Sequence, residues 1–356
     1  MSGHGPVRAM VVDDSPVIRR LFERVLGGDA GVEVVATAPD PYVARDLIVE
    51  HKPDVVTLDI EMPRMDGLSF LRRLMRYHPI PVIIVSSLSQ RGSDKATEAL
   101  SLGAVAALGK PGADTNASEF AAELLATVKG VAAARVMSAP NGDAPVRSEV
   151  GHQLPPCAAR RIVAVGASTG GTIAIERLLG GLPSDAPAVL LVQHMPPRVT
   201  RSFAERLDGL VPMTVREAED GDTPQPGLAL IAPGDKHMVL RKRGARYRVQ
   251  IKDGPRVNHH RPSIDVSLRS VAQSAGADGV GVLLTGMGAD GAKGLLAMRQ
   301  AGAPTIAQDE QTSVVYGMPR AAAEIGAAGQ VLPLQRIAHA VLEHVTSPPA
   351  REENHA

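Results

Sequence analysis

Residues 162–172 read Ile-Val-Ala-Val-Gly-Ala-Ser-Thr-Gly-Gly-Thr. Ile162–Val165 is an apolar run with no in/out alternation, as expected for a strand buried on both faces. The glycines that follow permit a tight turn, and Thr172–Leu179 reads as a helix. Strand, tight turn and helix form the repeating step of a parallel α/β sheet. The turn lifts the Ser168 side chain above the sheet edge, beside a helix N-terminus whose free N–H groups and field favour negative charge. A turn of this composition also suits a phosphate or dinucleotide, so alone it leaves both a nucleophile loop and a nucleotide loop open.

Two further runs separate those readings. Ala188–Val192 is a second buried-strand candidate, followed by Gln193, His194 and Met195-Pro196-Pro197, where the strand must stop. Val280–Leu284 is a third, followed by Thr285-Gly286-Met287-Gly288-Ala289-Asp290-Gly291, and Ala292–Ala301 reads as the next helix. Strand ends of a parallel sheet face one crevice. A hydroxyl, an imidazole and a carboxylate placed there supply a nucleophile (Ser168), a general base and then acid (His194), and a group that orients the imidazole and stabilises its charged form (Asp290). The chain order Ser, His, Asp differs from that of the α/β-hydrolases. Leu228–Ile231 is predicted as a strand, and His237–Arg243 with Arg246–Lys252 as a β-hairpin around Gly244-Ala245. The basic cluster on that hairpin reads as a solvated face. In Asn258-His259-His260-Arg261-Pro262-Ser263-Ile264-Asp265 an adjacent His pair lacks the i, i+4 spacing of a helical metal motif. That segment is expected to be a loop bordering the substrate groove.

The first third of the chain repeats the β/α step. Apolar runs at Ala9–Val12, Val32–Ala36, Val55–Leu58, Val82–Val85 and Ala104–Leu108 alternate with helical stretches at Val17–Leu26, Tyr42–His51, Gly67–Tyr77, Asp94–Leu102 and Ser118–Ala134. This pattern predicts a parallel sheet with helices on both faces. Asp13 and Asp14, Asp59, Ser86 and Lys110 follow successive strands and share one crevice. Three carboxylates there call for a cation, and Mg²⁺ suits oxygen ligands that also meet phosphate. Asp59 then has the character of a nucleophile that forms an aspartyl phosphate. Lys110 balances phosphoryl charge, and Ser86 donates to a phosphoryl oxygen.

Composition removes several alternatives. At 356 residues the length fits two domains, and the 44% hydrophobic and 21% charged residues are ordinary for a soluble globular protein. Zero formal net charge favours neither nucleic acid nor an anionic membrane, and aromatics at 2% with no Trp remove base stacking. No apolar run reaches the roughly 20 residues of a membrane span. One cysteine, Cys157, forms no disulfide framework within the chain and fits a reducing cytosol. The Pro-, Gly- and Ser-containing stretch before Arg161 reads as a linker.

Two resemblances cover nearly the whole chain. VVDDSPVIRR (11–20), LDIEMPRMDGL (58–68), VSS (85–87) and GKP (109–111) resemble the receiver domain of two-component response regulators. VAVGASTGGT (163–172), LVQHMPP (191–197), IAPGDKHM (231–238), NHHRPSID (258–265) and LLTGMGADGA (283–292) resemble the catalytic domain of chemotaxis-type protein-glutamate methylesterases. The resemblance implies an N-terminal doubly wound, flavodoxin-like receiver over 7–128, a linker over 129–159, a Rossmann-like parallel α/β catalytic domain with a β-hairpin over 160–347, and a polar tail over 348–356. It implies Asp59 as phosphorylation site, Asp13 and Asp14 with Asp59 as Mg²⁺ ligands, Ser86 as switch hydroxyl and Lys110 as phosphate partner. It also implies that Ser168, His194 and Asp290 form the triad, with Thr169 and the backbone of Met287 near the oxyanion. The esterase itself is expected to need no cofactor. The implied activity is hydrolysis of γ-glutamyl methyl esters on chemoreceptor cytoplasmic domains, with deamidation of receptor glutamines. It would take place in the cytoplasm, under control of a histidine kinase phosphodonor, without nucleic acid or membrane insertion. Many receivers carry an aromatic shortly before the lysine; here Ala106-Ala107-Leu108-Gly109 precede Lys110.

Overall fold

Short caps set the helices of the N-terminal part. The Ser15 hydroxyl accepts the Ile18 N–H ahead of Pro16, and the Asp40 carboxylate accepts the Tyr42 and Val43 N–H groups ahead of Pro41. The elements run β1 (Val7–Val12), α1 (Pro16–Gly27), β2 (Val32–Ala38), α2 (Pro41–His51), β3 (Val55–Asp59), α3 (Gly67–Tyr77), β4 (Val82–Ser86), α4 (Gln90–Ser101), β5 (Ala106–Gly109) and α5 (Ala117–Ala132). The computed structural model describes residues 5–62, 66–87, 89–111, 116–132, 155, 158–244 and 246–347. Most of the expected linker 129–159, all of the tail 348–356, Cys157 and Ala245 lie outside them.

The chain divides into two compact units, residues 1–141 and 142–356. In the first, the strand order is β2-β1-β3-β4-β5, all parallel. This is the flavodoxin-like order, whose direction of winding reverses between β1 and β3. β3 and β4 are buried along their whole length, which explains their unalternating apolar sequence. The helix α4 begins at Gln90 rather than Asp94, because the Ser89 hydroxyl caps it through the Gly92 N–H before its apolar spacing starts.

The second unit continues with β6 (Ile162–Ala167), α6 (Gly171–Gly180), β7 (Ala188–Gln193), α7 (Val199–Asp208), β8 (Thr214–Glu217), β9 (Leu228–Ile231), β10 (His237–Arg243), β11 (Arg246–Lys252), α8 (Ile264–Ala275), β12 (Gly279–Leu283), α9 (Ala292–Gln300), β13 (Thr305–Gln308), α10 (Met318–Glu324), β14 (Gln330–Leu332) and α11 (Leu334–Thr346). Seven parallel strands lie in the order β14-β13-β12-β6-β7-β9-β8, with β10 and β11 as a separate antiparallel pair. The winding reverses between β12 and β6, so the crevice of this sheet opens where the ends of β6, β7 and β12 meet.

Leu, Ile, Val, Ala and Met fill the core between this sheet and α8, α9 and the hairpin, among them Leu190, Leu230, Leu268, Leu283 and Met298, each no more than 1% exposed. Each such large side chain contributes about 1.5–3 kcal/mol by leaving water. The apolar half of the hairpin, Met238, Leu240 and Val249, joins this core, while Arg241–Arg243 stay exposed as expected. The sequence pattern leaves α7, β8, α8, β13, α10, β14 and α11 unassigned. Three of these are strands of only three or four residues. In α8 the polar Asp265, Ser267 and Ser270 are buried among its apolar residues.

Helix α8 can lie directly on β6 because residue 166 has no side chain. A Cβ there would come within 2.2 Å of Ile264 Cγ2. Gly166→Ala is therefore expected to cost about 1–3 kcal/mol in urea unfolding, as overpacking does. Gly180→Ala, where a Cβ meets nothing within 4 Å, should cost nothing. Equal effects of the two would contradict this packing.

Candidate active site and phosphoacceptor site

The two sites sit on the two winding reversals and are built alike, from side chains just past strand ends. In the first unit, Asp13 follows β1, Asp59 ends β3 and Lys110 follows β5. Asp13 and Asp59 are almost fully buried, and the Lys110 Nζ donates to Asp59 Oδ2 at 2.7 Å and reaches Asp13 Oδ2 at 3.0 Å. Asp59 Oδ1 accepts the Glu61 N–H at 3.1 Å, and Asp13 Oδ1 the Ser15 N–H at 2.8 Å. Burial pushes the Asp13 carboxyl up, against the opposing pull of Lys110 and the Ser15 amide. Burial works to lower Lys110, but its bonds to Asp59 and Asp13 outweigh that and raise it. One lysine thus serves two buried carboxylates, which leaves negative charge to be balanced.

Exposed Asp14 brings a third carboxylate, and one oxygen from each of Asp13, Asp14 and Asp59 lies within 4.8 Å of the others. An all-oxygen set with surplus negative charge fits Mg²⁺. Ser86 ends β4 on the same edge, but its hydroxyl donates to the Gly92 and Ser87 carbonyls at 3.2 and 3.3 Å rather than toward Asp59.

In the second unit the turn after β6 carries Ser168. Its N–H donates to the Thr285 carbonyl at 3.0 Å, and the Gly171 N–H donates to the Ser168 carbonyl at 2.7 Å. Gly170 takes a left-handed φ of 76°, and a Cβ there would lie 2.5 Å from Val314 Cβ, so glycine is required twice over. His194 follows β7. The Gln193 amide donates to both the Ser168 and His194 carbonyls, at 2.8 and 3.2 Å, and ties the two strand ends together. Asp290 follows β12. His194 Nδ1 lies 3.2 Å from Ser168 Oγ, and His194 Nε2 lies 3.0 Å from Asp290 Oδ2. The three residues expected to converge therefore form one hydrogen-bonded line.

Asp290 is 2% exposed and densely solvated by protein. Besides His194, its Oδ2 accepts the Ile264 N–H at 2.7 Å. Its Oδ1 accepts from Asn258 Nδ2 at 2.7 Å, Ser263 Oγ at 2.9 Å and the Asp265 N–H at 3.3 Å. Burial would raise this carboxyl, but the His194 bond and charge, Asn258 and the Ile264 amide hold it far below the ordinary carboxylate range. The segment 258–265, expected to border the substrate groove, supplies donors to Asp290. Ser263 caps α8, and the first N–H groups of that helix point at Asp290. Sequence reasoning missed this role; the cap signature, Ser263 ahead of Ile264, Leu268 and Val271 at helical spacing, was the available signal.

Of the two residues expected near the oxyanion, Thr169 directly follows Ser168 in the chain. Thr169 is 9% exposed, and its carbonyl accepts from Thr285 Oγ1 at 3.0 Å. Gly286, just before Met287, packs so closely that a Cβ there would lie 2.7 Å from Ser168 Cβ. His260 adds a feature no sequence pattern announces. Its ring stacks on that of His194 with centroids 3.7 Å apart and planes 14° from parallel. Burial, then the neighbouring His194, push the His260 imidazole down to about 3.

Comparison with known proteins agrees with this layout. The CheB methylesterase family matches residues 163–341, and the response regulator receiver domain family matches residues 9–120. The chain belongs to the CheB methylesterase family. A protein-glutamate methylesterase/protein-glutamine glutaminase of Anaeromyxobacter dehalogenans is 54% identical over 339 residues, covering 94% of each chain. One from Pseudomonas aeruginosa is 52% identical over 340 residues, covering 95% of this chain and 97% of its own. The crystal structure of the Thermotoga maritima CheB methylesterase catalytic domain is 39% identical, with a TM-score of 0.51, over 51% of this chain and 97% of that one. This CheB-family chain thus carries a receiver and a methylesterase domain on the two sheets described above.

His260 and Asp290 set an acid limit on stability. His260 binds its proton far more weakly folded than its ordinary value of 6.5. The unfolded chain therefore takes up that proton first, and stability falls as pH drops from about 6.5 toward 3. Asp290, lowered on folding, contributes stability that is complete above its ordinary 3.8 and is lost only below it. Urea midpoints of the full chain should thus decline between pH 6.5 and 4, and His260→Phe should flatten that decline. An unchanged slope in the variant would contradict the assignment to His260.

Proposed function

We propose that this chain is a phosphorylation-regulated hydrolase that removes methyl groups from glutamate γ-methyl esters of chemoreceptor cytoplasmic domains, releasing methanol. By the same route it converts receptor glutamines to glutamates. The observation that carries this reading is the hydrogen-bonded line Ser168–His194–Asp290 at the reversal of the seven-stranded sheet. Relatives over nearly the whole chain bear the name protein-glutamate methylesterase/protein-glutamine glutaminase.

The chemistry follows from the atoms in line. Ser168 Oγ attacks the ester carbonyl carbon while His194 Nδ1 takes the hydroxyl proton. Negative charge moves to the carbonyl oxygen, which the backbone around Thr169 and Met287 and the start of α6 would receive. The carbonyl carbon–methoxy bond then breaks, and His194 returns its proton to the departing oxygen, giving methanol and a glutamyl ester on Ser168. Water attacks that ester with His194 again as base, and the glutamate carboxylate leaves as Ser168 regains its proton. With a glutamine substrate the first leaving group is ammonia. Asp290 stays ionised throughout; it orients the ring through Nε2 and stabilises the imidazolium.

In the first unit Asp59 takes the phosphoryl group from a histidine kinase on a carboxylate oxygen. Asp13, Asp14 and Asp59 would hold Mg²⁺, which when bound offsets the charge of the phosphoryl oxygens. Lys110 pairs with the phosphorylated carboxylate, and the Ser86 hydroxyl leaves the Gly92 carbonyl to donate to a phosphoryl oxygen. Residues 7–128 act as the receiver, 129–159 as linker and 160–347 as the esterase, with 348–356 as a tail. No described helix is long and apolar enough to cross a membrane. The receptor substrate places the reaction in the cytoplasm.

Methanol release from methyl-labelled receptor tests the reading. Ser168→Ala should lower turnover by on the order of 10⁴-fold or more. Asp59→Asn should keep the unstimulated rate and lose the increase that a small phosphodonor produces. Turnover that survives in Ser168→Ala, or stimulation that survives in Asp59→Asn, would refute the corresponding half.

A further inference from the structure

His260 is given no task by the chemistry above, yet the fold holds it against the base. The turn 257–260 is closed by two backbone bonds, Val257 N–H to the His260 carbonyl and His260 N–H to the Val257 carbonyl, each 3.0 Å. Inside it Asn258 and His259 both take left-handed φ angles, 52° and 68°. Such a conformation is uncommon for side-chain-bearing residues and persists only where the surroundings impose it. Here the Asn258 amide imposes it, donating to Asp290 Oδ1 at 2.7 Å and Asp265 Oδ2 at 2.9 Å. The carboxylate that anchors one edge of the His194 ring therefore also anchors the turn that lays His260 on its face.

The His194 ring turns about its Cβ–Cγ bond, and that torsion is broad. Its hydrogen bonds to Ser168 and Asp290 resist a large turn, but such bonds weaken steeply only at large misalignment and so tolerate a small tilt. A second ring 3.7 Å away and 14° from parallel blocks it on one side. The charges acting on His260 are those of His194 and Asp290, then of Arg256 and His259. In these surroundings the stacked ring stays neutral and does not repel the positive charge that His194 takes on.

We propose that His260 is a positioning residue: its ring fixes the plane of the His194 imidazole so that Nδ1 stays on Ser168 Oγ and Nε2 on Asp290. The proposal rests on the reading of Ser168, His194 and Asp290 as the reacting triad. It adds that the face of the His260 ring, not its nitrogens, does the positioning. A small misplacement of a catalytic group costs up to about 10²-fold in rate, which sets the size of effect to seek.

The test compares full-length wild type with His260→Ala, His260→Gln and His260→Phe on methyl-labelled receptor cytoplasmic fragment, with unfolding midpoints measured alongside. The Ala and Gln variants are expected to lose about 10- to 100-fold in kcat with KM within twofold, and Phe to recover most of the loss. In ¹⁵N-labelled protein the His194 ring signals should be sharp in wild type and Phe and exchange-broadened in Ala and Gln. Should Ala fail to fold, the contrast of Phe with Gln decides alone. The proposal is overturned by kcat within twofold of wild type in Gln, by a loss carried in KM, or by a folded Phe variant as slow as Gln. Failure of the triad reading would show separately, as methanol release that survives in Ser168→Ala.

Discussion

A single buried carboxylate organises the second unit. Asp290 accepts hydrogen bonds from His194, Asn258, Ser263 and the N–H groups of Ile264 and Asp265. An ionised group removed from water is costly unless its lone pairs are filled. Here they are filled by three separate pieces of chain: the end of β7, the turn at 258 and the start of α8. That requirement fixes where α8 begins and how closely it sits on β6, which in turn demands glycine at 166 and 291. A Cβ at either position would run into Ile264, the residue whose amide serves Asp290.

Both sheets place their chemistry at the same kind of location, yet they treat charge in opposite ways. Around Asp290 the protein supplies every donor, so the carboxylate is a fixed support. Around Asp13 and Asp59 it supplies one lysine and a few amides, which do not outweigh burial at Asp13, so that carboxyl is raised where Asp290 is lowered. The first site is left short of positive charge, as its proposed uptake of a cation and a phosphoryl group requires. The second is complete in itself, as the proposed triad, which must keep one geometry through repeated turnover, requires.

Much of this was legible in the sequence because strand ends are easy to find when strands are buried on both faces. Runs such as Ile162–Val165 and Val55–Leu58 announce themselves, and Ser168, His194, Asp290, Asp59 and Lys110 follow by position. The strands leading to Ser168 and His194 extend one or two residues beyond those runs, to Ala167 and Gln193. The second layer was not legible. Gln193 and Asn258 act through side-chain amides that bond across 25 and 32 positions of sequence, a relation no local period records. Helix α8 hides because it is buried on most sides, and the contact of His260 with His194 spans two loops. Nor did the sequence indicate that the Ser86 hydroxyl is turned toward Gly92.

The account stands on Ser168 and His194 acting as one chemical unit across the ends of β6 and β7. The most direct measurement is a double-mutant cycle on methanol release, using Ser168→Ala, His194→Ala and the pair in the full chain. If the imidazole serves only to move the serine proton, the double variant turns over no more slowly than the slower single variant. Losses that multiply would mean the two side chains act independently, and would contradict the account.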